Sequence, residues 1–273
     1  MLKTGKLLRL RRLSLAGDGR HLLVPLDHSV SDGPIVPAGE WDDLLRALVD
    51  GGADGIIVHK GRARAFAPDI LRNCALVVHL SASTACSADV HAKVLVADVE
   101  EALRLGADAV SVHVNIGSDT EARQLSDLGA VARSCDAWGM PLIAMVYPRG
   151  PRIENPRDPA LLAHLANVAA DLGADMVKTS VALPVERMAE VVAGSPIPVL
   201  AAGGPPDGSD LVEYGTAVMA TGCRGLAVGR RIFSVPSPAS LVARLAAVVH
   251  GDGGASSNGM SMTSPSTFVA GVA

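Results

Sequence analysis

Residues 173–180 read Gly-Ala-Asp-Met-Val-Lys-Thr-Ser. The glycine can end a helix, and the apolar pair Met176-Val177 suits a short buried strand. That strand delivers Lys178 to its end, with Thr179 and Ser180 behind it. The same tripeptide recurs as Gly52-Ala53-Asp54 and Gly106-Ala107-Asp108, each time before another apolar run. A helix-ending glycine followed by a short turn into a strand, repeated along a chain, is the mark of β/α units. Working outward, eight apolar strands are expected near residues 22–27, 55–59, 75–80, 109–115, 141–147, 175–180, 198–202 and 225–228. Helical patterns fall between them, with Ser118 and Asp158 as expected helix caps and residues 81–92 as a polar loop able to act as a lid. The expected fold is α/β, a single-domain TIM (β/α)8 barrel spanning 22–250. Residues 1–21 form an N-terminal extension and residues 251–273 a flexible Gly/Ser-rich tail. A doubly wound open sheet is the alternative, but the first strand ends in Asp27-His28 where a glycine-rich fingerprint would be expected.

The bulk composition fits this reading. Of 273 residues, 49% are hydrophobic and only 3% aromatic, so Ala, Val, Leu and Ile must fill the core. A net charge of -4 gives no basic surplus for nucleic acid or an anionic membrane surface. The four cysteines form no CxxC pair, which points away from zinc and redox motifs and fits a reduced, cytoplasmic compartment. The basic N-terminus is interrupted by Arg9, Arg11 and Arg12, so it lacks a signal-peptide core, and no apolar run approaches the length of a membrane span.

In a barrel of this kind chemistry sits where the strands end. Those ends carry Asp27-His28-Ser29, His59-Lys60-Gly61, His113, Asn115, Tyr147-Pro148-Arg149, Lys178-Thr179-Ser180, Gly203-Gly204 and Gly229-Arg230. A lysine taken out of water loses preference for its charged form, so Lys178 is the candidate nucleophile for imine formation on a ketone. Lys60 is the rival, expected to be more exposed. Asp27 is the candidate for moving protons, and Tyr147 for donating one to a developing alkoxide. Gly203-Gly204 and Gly229-Arg230 suit a phosphate, and Arg149 a second anion. His28, His59, His79 and His113 raise a metal reading, but no HxH or HExxH spacing accompanies them.

Taken in order, VPLDHSVSDGP (24–34), HKG (59–61), SVHVNIGS (111–118), WGMPLIAMVYPRG (138–150), DMVKTS (175–180), AGG (202–204) and GLAVGRRIF (225–233) resemble the archaeal-type class I aldolases. That family includes fructose-bisphosphate aldolase and the amino-heptulosonate synthases, and the resemblance runs from about residue 22 to 250. It implies a barrel with its imine on Lys178, a proton-relay Asp27 and a proton-donor Tyr147. It implies substrate contacts from His28, Ser29, Val30, Ser31, Pro148, Arg149, Thr179, Ser180, Gly203, Gly204, Gly229 and Arg230. It also implies no metal and no cofactor beyond the covalent imine, and a large homo-oligomer such as a decamer. HVNIGS and VKTS look more like the synthases than the sugar-bisphosphate aldolases. The expected partners are therefore small molecules, L-aspartate 4-semialdehyde and a ketose phosphate. Dihydroxyacetone phosphate would give 2-amino-4,5-dihydroxy-6-oxo-7-(phosphooxy)heptanoate. The hept-6-ulosonate synthase reaction and fructose 1,6-bisphosphate cleavage are the alternatives, with a non-catalytic phosphate-binding barrel behind them.

Overall fold

Each Gly-Ala-Asp tripeptide turns a helix into a strand by the same device. Gly52, Gly106 and Gly173 take left-handed backbone conformations with φ of 89°, 79° and 94°, which a side chain would strain. The alanine that follows is buried. The aspartate then accepts a hydrogen bond from the first residues of the preceding barrel strand: Asp54 from the Leu22 N–H (2.6 Å), Asp108 from Leu76 (3.1 Å) and Asp175 from Leu142 (2.8 Å). The repeat therefore ties neighbouring strands together at their N-terminal ends.

The computed structural model of the protein describes residues 4–203 and 209–251. Gly204, most of the loop after it and all but the first residue of the tail expected at 251–273 lie outside the described residues. In chain order the strands are β1 (His21–Pro25), β2 (Gly55–Val58), β3 (Ala75–His79), β4 (Ser81–Ala82), β5 (Val94–Leu95), β6 (Ala109–Ile116), β7 (Leu142–Pro148), β8 (Met176–Thr179), β9 (Val199–Ala202) and β10 (Gly225–Ala227). The α-helices are α1 (Thr4–Arg12), α2 (Ser29–Asp32), α3 (Trp41–Asp50), α4 (Lys60–Ala63), α5 (Val99–Arg104), α6 (Glu121–Trp138), α7 (Pro159–Asp171), α8 (Met188–Ala193), α9 (Leu211–Ala220), α10 (Arg230–Phe233) and α11 (Pro238–His250). Eight parallel strands close in the order β1-β10-β9-β8-β7-β6-β3-β2, and β4 and β5 form a separate antiparallel ribbon. This is the expected TIM barrel. No helix among the described residues is long and apolar enough to cross a membrane.

Strand alternation sorts the core into two parts. Leu23, Ile57, Val77, Ile143, Met145, Met176 and Leu200 fill the barrel, while Val24, Ile56, Val78, Ala144, Val177 and Ala201 face the helices. The helices answer with apolar stripes at helical spacing, such as Leu128, Val131, Ala132 and Cys135 on α6. Gly139 (φ 61°) ends α6 as expected, and the Asp158 carboxylate caps α7 by accepting the Ala160 N–H. Ser118 does not cap α6. The helix starts at Glu121, and the Ser118 hydroxyl instead donates to the Asn115 carbonyl at 3.0 Å.

The segment before β1 closes the barrel end where the strands begin. Leu13 is fully buried in the interior cluster, and Leu10 packs beside it. All three repeat aspartates hold this segment: Asp175 pairs with Lys6 (2.9 Å), Asp108 with Arg12 (3.0 Å), and Asp54 accepts the Leu15 N–H (2.7 Å). His250 at the end of α11 adds bonds of 3.0 Å to both Asp54 and Asp18.

Candidate active site

At the opposite end the same alternation decides which side chains meet. Residues two apart on a strand share a face, so those that continue the interior column open on the mouth. They are Asp27 after β1, His59 after β2, His79 and Ser81 along β3 and β4, His113 on β6, Met145 and Tyr147 on β7, Lys178 and Ser180 along β8, Ala202 on β9, and Ala227 and Gly229 along β10. Together they line a cavity of about 670 Å3. Lys178 sits in register between Met145 and Leu200 and is 7% exposed. Its ammonium makes no hydrogen bond or ion pair with a described residue. The three candidate catalytic residues Lys178, Asp27 and Tyr147 thus share one cavity. Of the remaining expected contacts, His28, Val30, Ser31, Arg149, Ser180, Gly203, Gly229 and Arg230 also line it.

Three expected contacts do not. Thr179 follows Lys178 and Pro148 follows Tyr147, so both fall on the outer face of the wall, and both are buried there. Ser29 opens α2 and turns away from the cavity that Val30 and Ser31 reach. Lys60 is also removed from the mouth. It starts α4, and its ammonium bonds both oxygens of Glu101 (2.9 and 3.1 Å).

Asp27 is the electrostatic centre. Its Oδ2 lies 3.7 Å from His79 Nε2 and its Oδ1 lies 3.6 Å from His28 Nδ1. Neither that Oδ1 nor that Nδ1 has a hydrogen-bond partner among the described residues, although both are buried. Burial alone would raise the carboxyl, but attraction to His79, His28, Lys178 and His59 outweighs it and holds Asp27 at about 2. Burial pushes His79 the other way, down to about 4 against the pull of Asp27. Burial likewise lowers His28, His59 and His113. At neutral pH a carboxylate therefore stands among neutral imidazoles.

Each histidine is further engaged. His79 Nδ1 shares a hydrogen bond with Ser111 Oγ (2.8 Å), His59 Nδ1 reaches the His79 carbonyl (3.2 Å), and His113 Nε2 meets Asn115 Oδ1 (2.8 Å). His113 tilts against the Tyr147 ring at 5.0 Å between centroids, and the Arg149 guanidinium lies 4.6 Å over that ring. Among the described residues no three His, Cys, Asp or Glu side chains are grouped to hold a metal ion.

On the β10 side, backbone comes close to the mouth. A Cβ on Gly229 would sit 2.4 Å from the Pro25 carbonyl oxygen, so only glycine fits. Arg230 follows it and pairs with Asp32 at 3.5 Å. Sequence reasoning missed Lys93, His91, Arg157 and Arg231, which also line the cavity. Lys93 stands just before β5, in the ribbon that takes the place of the polar, lid-like loop expected at 81–92. Two-residue strands carry too little pattern to be read in advance.

Comparison with known proteins adds three findings. Residues 21–235 match the sequence family described as DeoC/LacD family aldolase. The chain is 48% identical over 248 residues, 90% of each chain, to the 2-amino-4,5-dihydroxy-6-oxo-7-(phosphonooxy)heptanoate synthase of Streptomyces griseus. It is 37% identical over 253 residues, 92% of this chain and 94% of the other, to the 2-amino-3,7-dideoxy-D-threo-hept-6-ulosonate synthase of Halobacterium salinarum. Its fold superposes with a TM-score of 0.79 and 26% identity, over 91% of this chain and 100% of the other, on an archaeal fructose-1,6-bisphosphate aldolase. That aldolase was solved with its catalytic lysine covalently bound to the carbinolamine intermediate of the substrate.

Proposed function

The chain belongs to the DeoC/LacD family of aldolases, and on that basis we propose that it joins dihydroxyacetone phosphate to L-aspartate 4-semialdehyde through an imine on Lys178. The product would be 2-amino-4,5-dihydroxy-6-oxo-7-(phosphonooxy)heptanoate, the compound named for the Streptomyces griseus relative. The carbon count agrees: three carbons from the ketose phosphate and four from the semialdehyde make the heptanoate. One observation carries the reading. Lys178, on the inner wall and with no hydrogen-bond or ion-pair partner among the described residues, opens on the same cavity as Asp27 and Tyr147.

The steps follow from those groups. The Lys178 amine adds to the ketone carbon to give a carbinolamine, which loses water to an iminium once its oxygen is protonated. The iminium withdraws electrons, so a proton leaves the neighbouring hydroxymethyl carbon and an enamine forms. Asp27, ionised at neutral pH and with no hydrogen-bond partner for its Oδ1 among the described residues, takes the proton released by the attacking amine, passes it to the carbinolamine oxygen, and then takes the proton from the hydroxymethyl carbon. The enamine carbon attacks the aldehyde, the Tyr147 hydroxyl protonates the new alkoxide, and water releases the product and the lysine. Gly203, Gly229 and Arg230 suit the phosphate through close backbone approach and charge. By this reading the enzyme needs no metal or external cofactor, and in keeping with its family it works as a cytoplasmic homo-oligomer.

Cleavage of fructose 1,6-bisphosphate is the second reading. It is favoured by the likeness to the archaeal aldolase and by the second cationic group at Arg149. Borohydride reduction in the presence of dihydroxyacetone phosphate should fix an adduct on the peptide carrying Lys178 and none in Lys178→Ala. Mass spectrometry of the product formed with aspartate 4-semialdehyde then separates the two readings. Retention of activity in Lys178→Ala would overturn the imine mechanism.

A further inference from the structure

The cavity has two cationic poles, and Lys178 lies between them. Around the barrel wall the order is β10, β9, β8, β7, β6. Gly203, Gly229 and Arg230 belong to the β9–β10 side, and Arg149 follows β7. Lys178 on β8 therefore stands midway. A ligand bound covalently to it must extend one arm toward each pole.

Lys93 joins Arg149 at the second pole. The β4–β5 ribbon pairs Ser81 with Leu95 and Ala82 with Val94, which sets Lys93 at the cavity edge. The ribbon is fixed rather than loosely attached. Val96 N–H donates to the Leu80 carbonyl at 2.8 Å, and the His91 carbonyl accepts from both Asn115 Nδ2 (2.8 Å) and Gln124 Nε2 (3.0 Å). Gln124 is itself buried and also accepts the Asn115 N–H, so α6 and β6 hold the ribbon together. Lys93 donates to the Ser83 hydroxyl. Among the described residues, neither Lys93 nor Arg149 has a carboxylate within ion-pair distance. Lys93 is partly buried and Arg149 exposed, both on the cavity lining, and two such cations repel each other, so an anion between them relieves that repulsion. Burial and the nearby Arg149 both push Lys93 toward its neutral form, in line with such crowding.

Building on the proposed reaction, we propose that Lys93 and Arg149 form the seat of the acceptor's α-carboxylate, and that Lys93 is the residue that selects a carboxylate-bearing aldehyde. The proposed product carries one phosphate and one carboxylate at opposite ends of its chain. With the phosphate at the β9–β10 pole, the carboxylate falls at the β7 pole. A guanidinium and an ammonium on a rigid ribbon can hold a carboxylate more selectively than either alone. Asn115 and Gln124 act as positioning residues through the His91 carbonyl.

The test compares wild type, Lys93→Met and Lys93→Arg, all first confirmed as folded by their thermal transitions. The donor half-reaction is read without acceptor, as deuterium incorporation into dihydroxyacetone phosphate in D2O. The acceptor half is read as KM for aspartate 4-semialdehyde. Lys93→Met should raise that KM roughly 10- to 100-fold, far more than it alters donor exchange or kcat at saturation. Lys93→Arg should recover much of the loss. An unchanged KM in Lys93→Met, or an exchange rate that falls in step with turnover, would overturn the assignment. If the wild type itself neither exchanged deuterium nor gave a borohydride adduct, the imine reading would fall, and the carboxylate seat with it.

Discussion

His79 should make the protein lose stability on mild acidification, by an amount its surroundings set. The imidazole is buried within the barrel mouth and sits at about 4, against 6.5 for a free histidine. A group whose folded pKa lies below its unfolded pKa binds its proton more readily when the chain is unfolded. The contribution of His79 is therefore nearly constant above pH 6.5 and declines as pH falls from 6.5 toward 4. Each pH unit in that window is worth about 1.4 kcal/mol, so from pH 6.5 to pH 5 the loss is about 2 kcal/mol. Asp27 does not blur the result, because at about 2 it stays ionised throughout. His21, His28, His59 and His113 are lowered in the same direction, so the wild-type slope alone is no test. The informative quantity is the difference between wild type and His79→Gln in urea unfolding at pH 7, 6 and 5. Titrations remote from His79, such as that of His21, cancel in that difference, while Asp27 and His59 face His79 and shift with it. The variant's gap from wild type should shrink by about 2 kcal/mol between pH 7 and pH 5. A gap that stays constant would mean that His79 protonates as easily in the folded protein, and the electrostatic account of the mouth would fail.

Two further outcomes concern the opposite end of the barrel. Lys6→Met should destabilise the protein by about 3 kcal/mol in urea unfolding, because it leaves the Asp175 carboxylate buried without its ion partner. Turnover at 25 °C should be unaffected, since that pair lies far from the mouth. His250 is raised, chiefly by its hydrogen bond to Asp54 and despite some burial, so its contribution is present below pH 6.5 and lost as pH rises through its folded value. His250→Gln should therefore cost more stability at pH 6 than at pH 9, and an equal cost at both would remove the link to Asp54.

Much of this was legible in the sequence because the relevant signals are local. The repeated Gly-Ala-Asp turns and the apolar strands between them announce a β/α barrel, and the strand ends name Asp27, Tyr147 and Lys178. What stayed hidden depends on distance or on parity. The role of the repeat aspartates was invisible, because Lys6 and Asp175 meet only after the barrel has closed. Ser118 looked like a cap because it is a hydroxyl residue ahead of a helical pattern, yet α6 starts only at Glu121 and the Ser118 hydroxyl found the Asn115 carbonyl instead. Thr179 and Pro148 were included with their neighbours as blocks of sequence, whereas a strand sends adjacent side chains to opposite sides. Lys93 was passed over because a polar stretch with two-residue strands does not differ from an ordinary loop in its pattern.

That odd-and-even arrangement limits how such an enzyme can change. Exchanging one mouth residue for another alters the ligand it welcomes and leaves the wall intact. Gaining or losing a single position inside β8 would rotate the rest of that strand by half a turn, burying the amine among the helices and presenting a threonine methyl to the substrate. New specificities in this architecture are therefore reached by replacing letters, while the length of each strand is inherited unchanged.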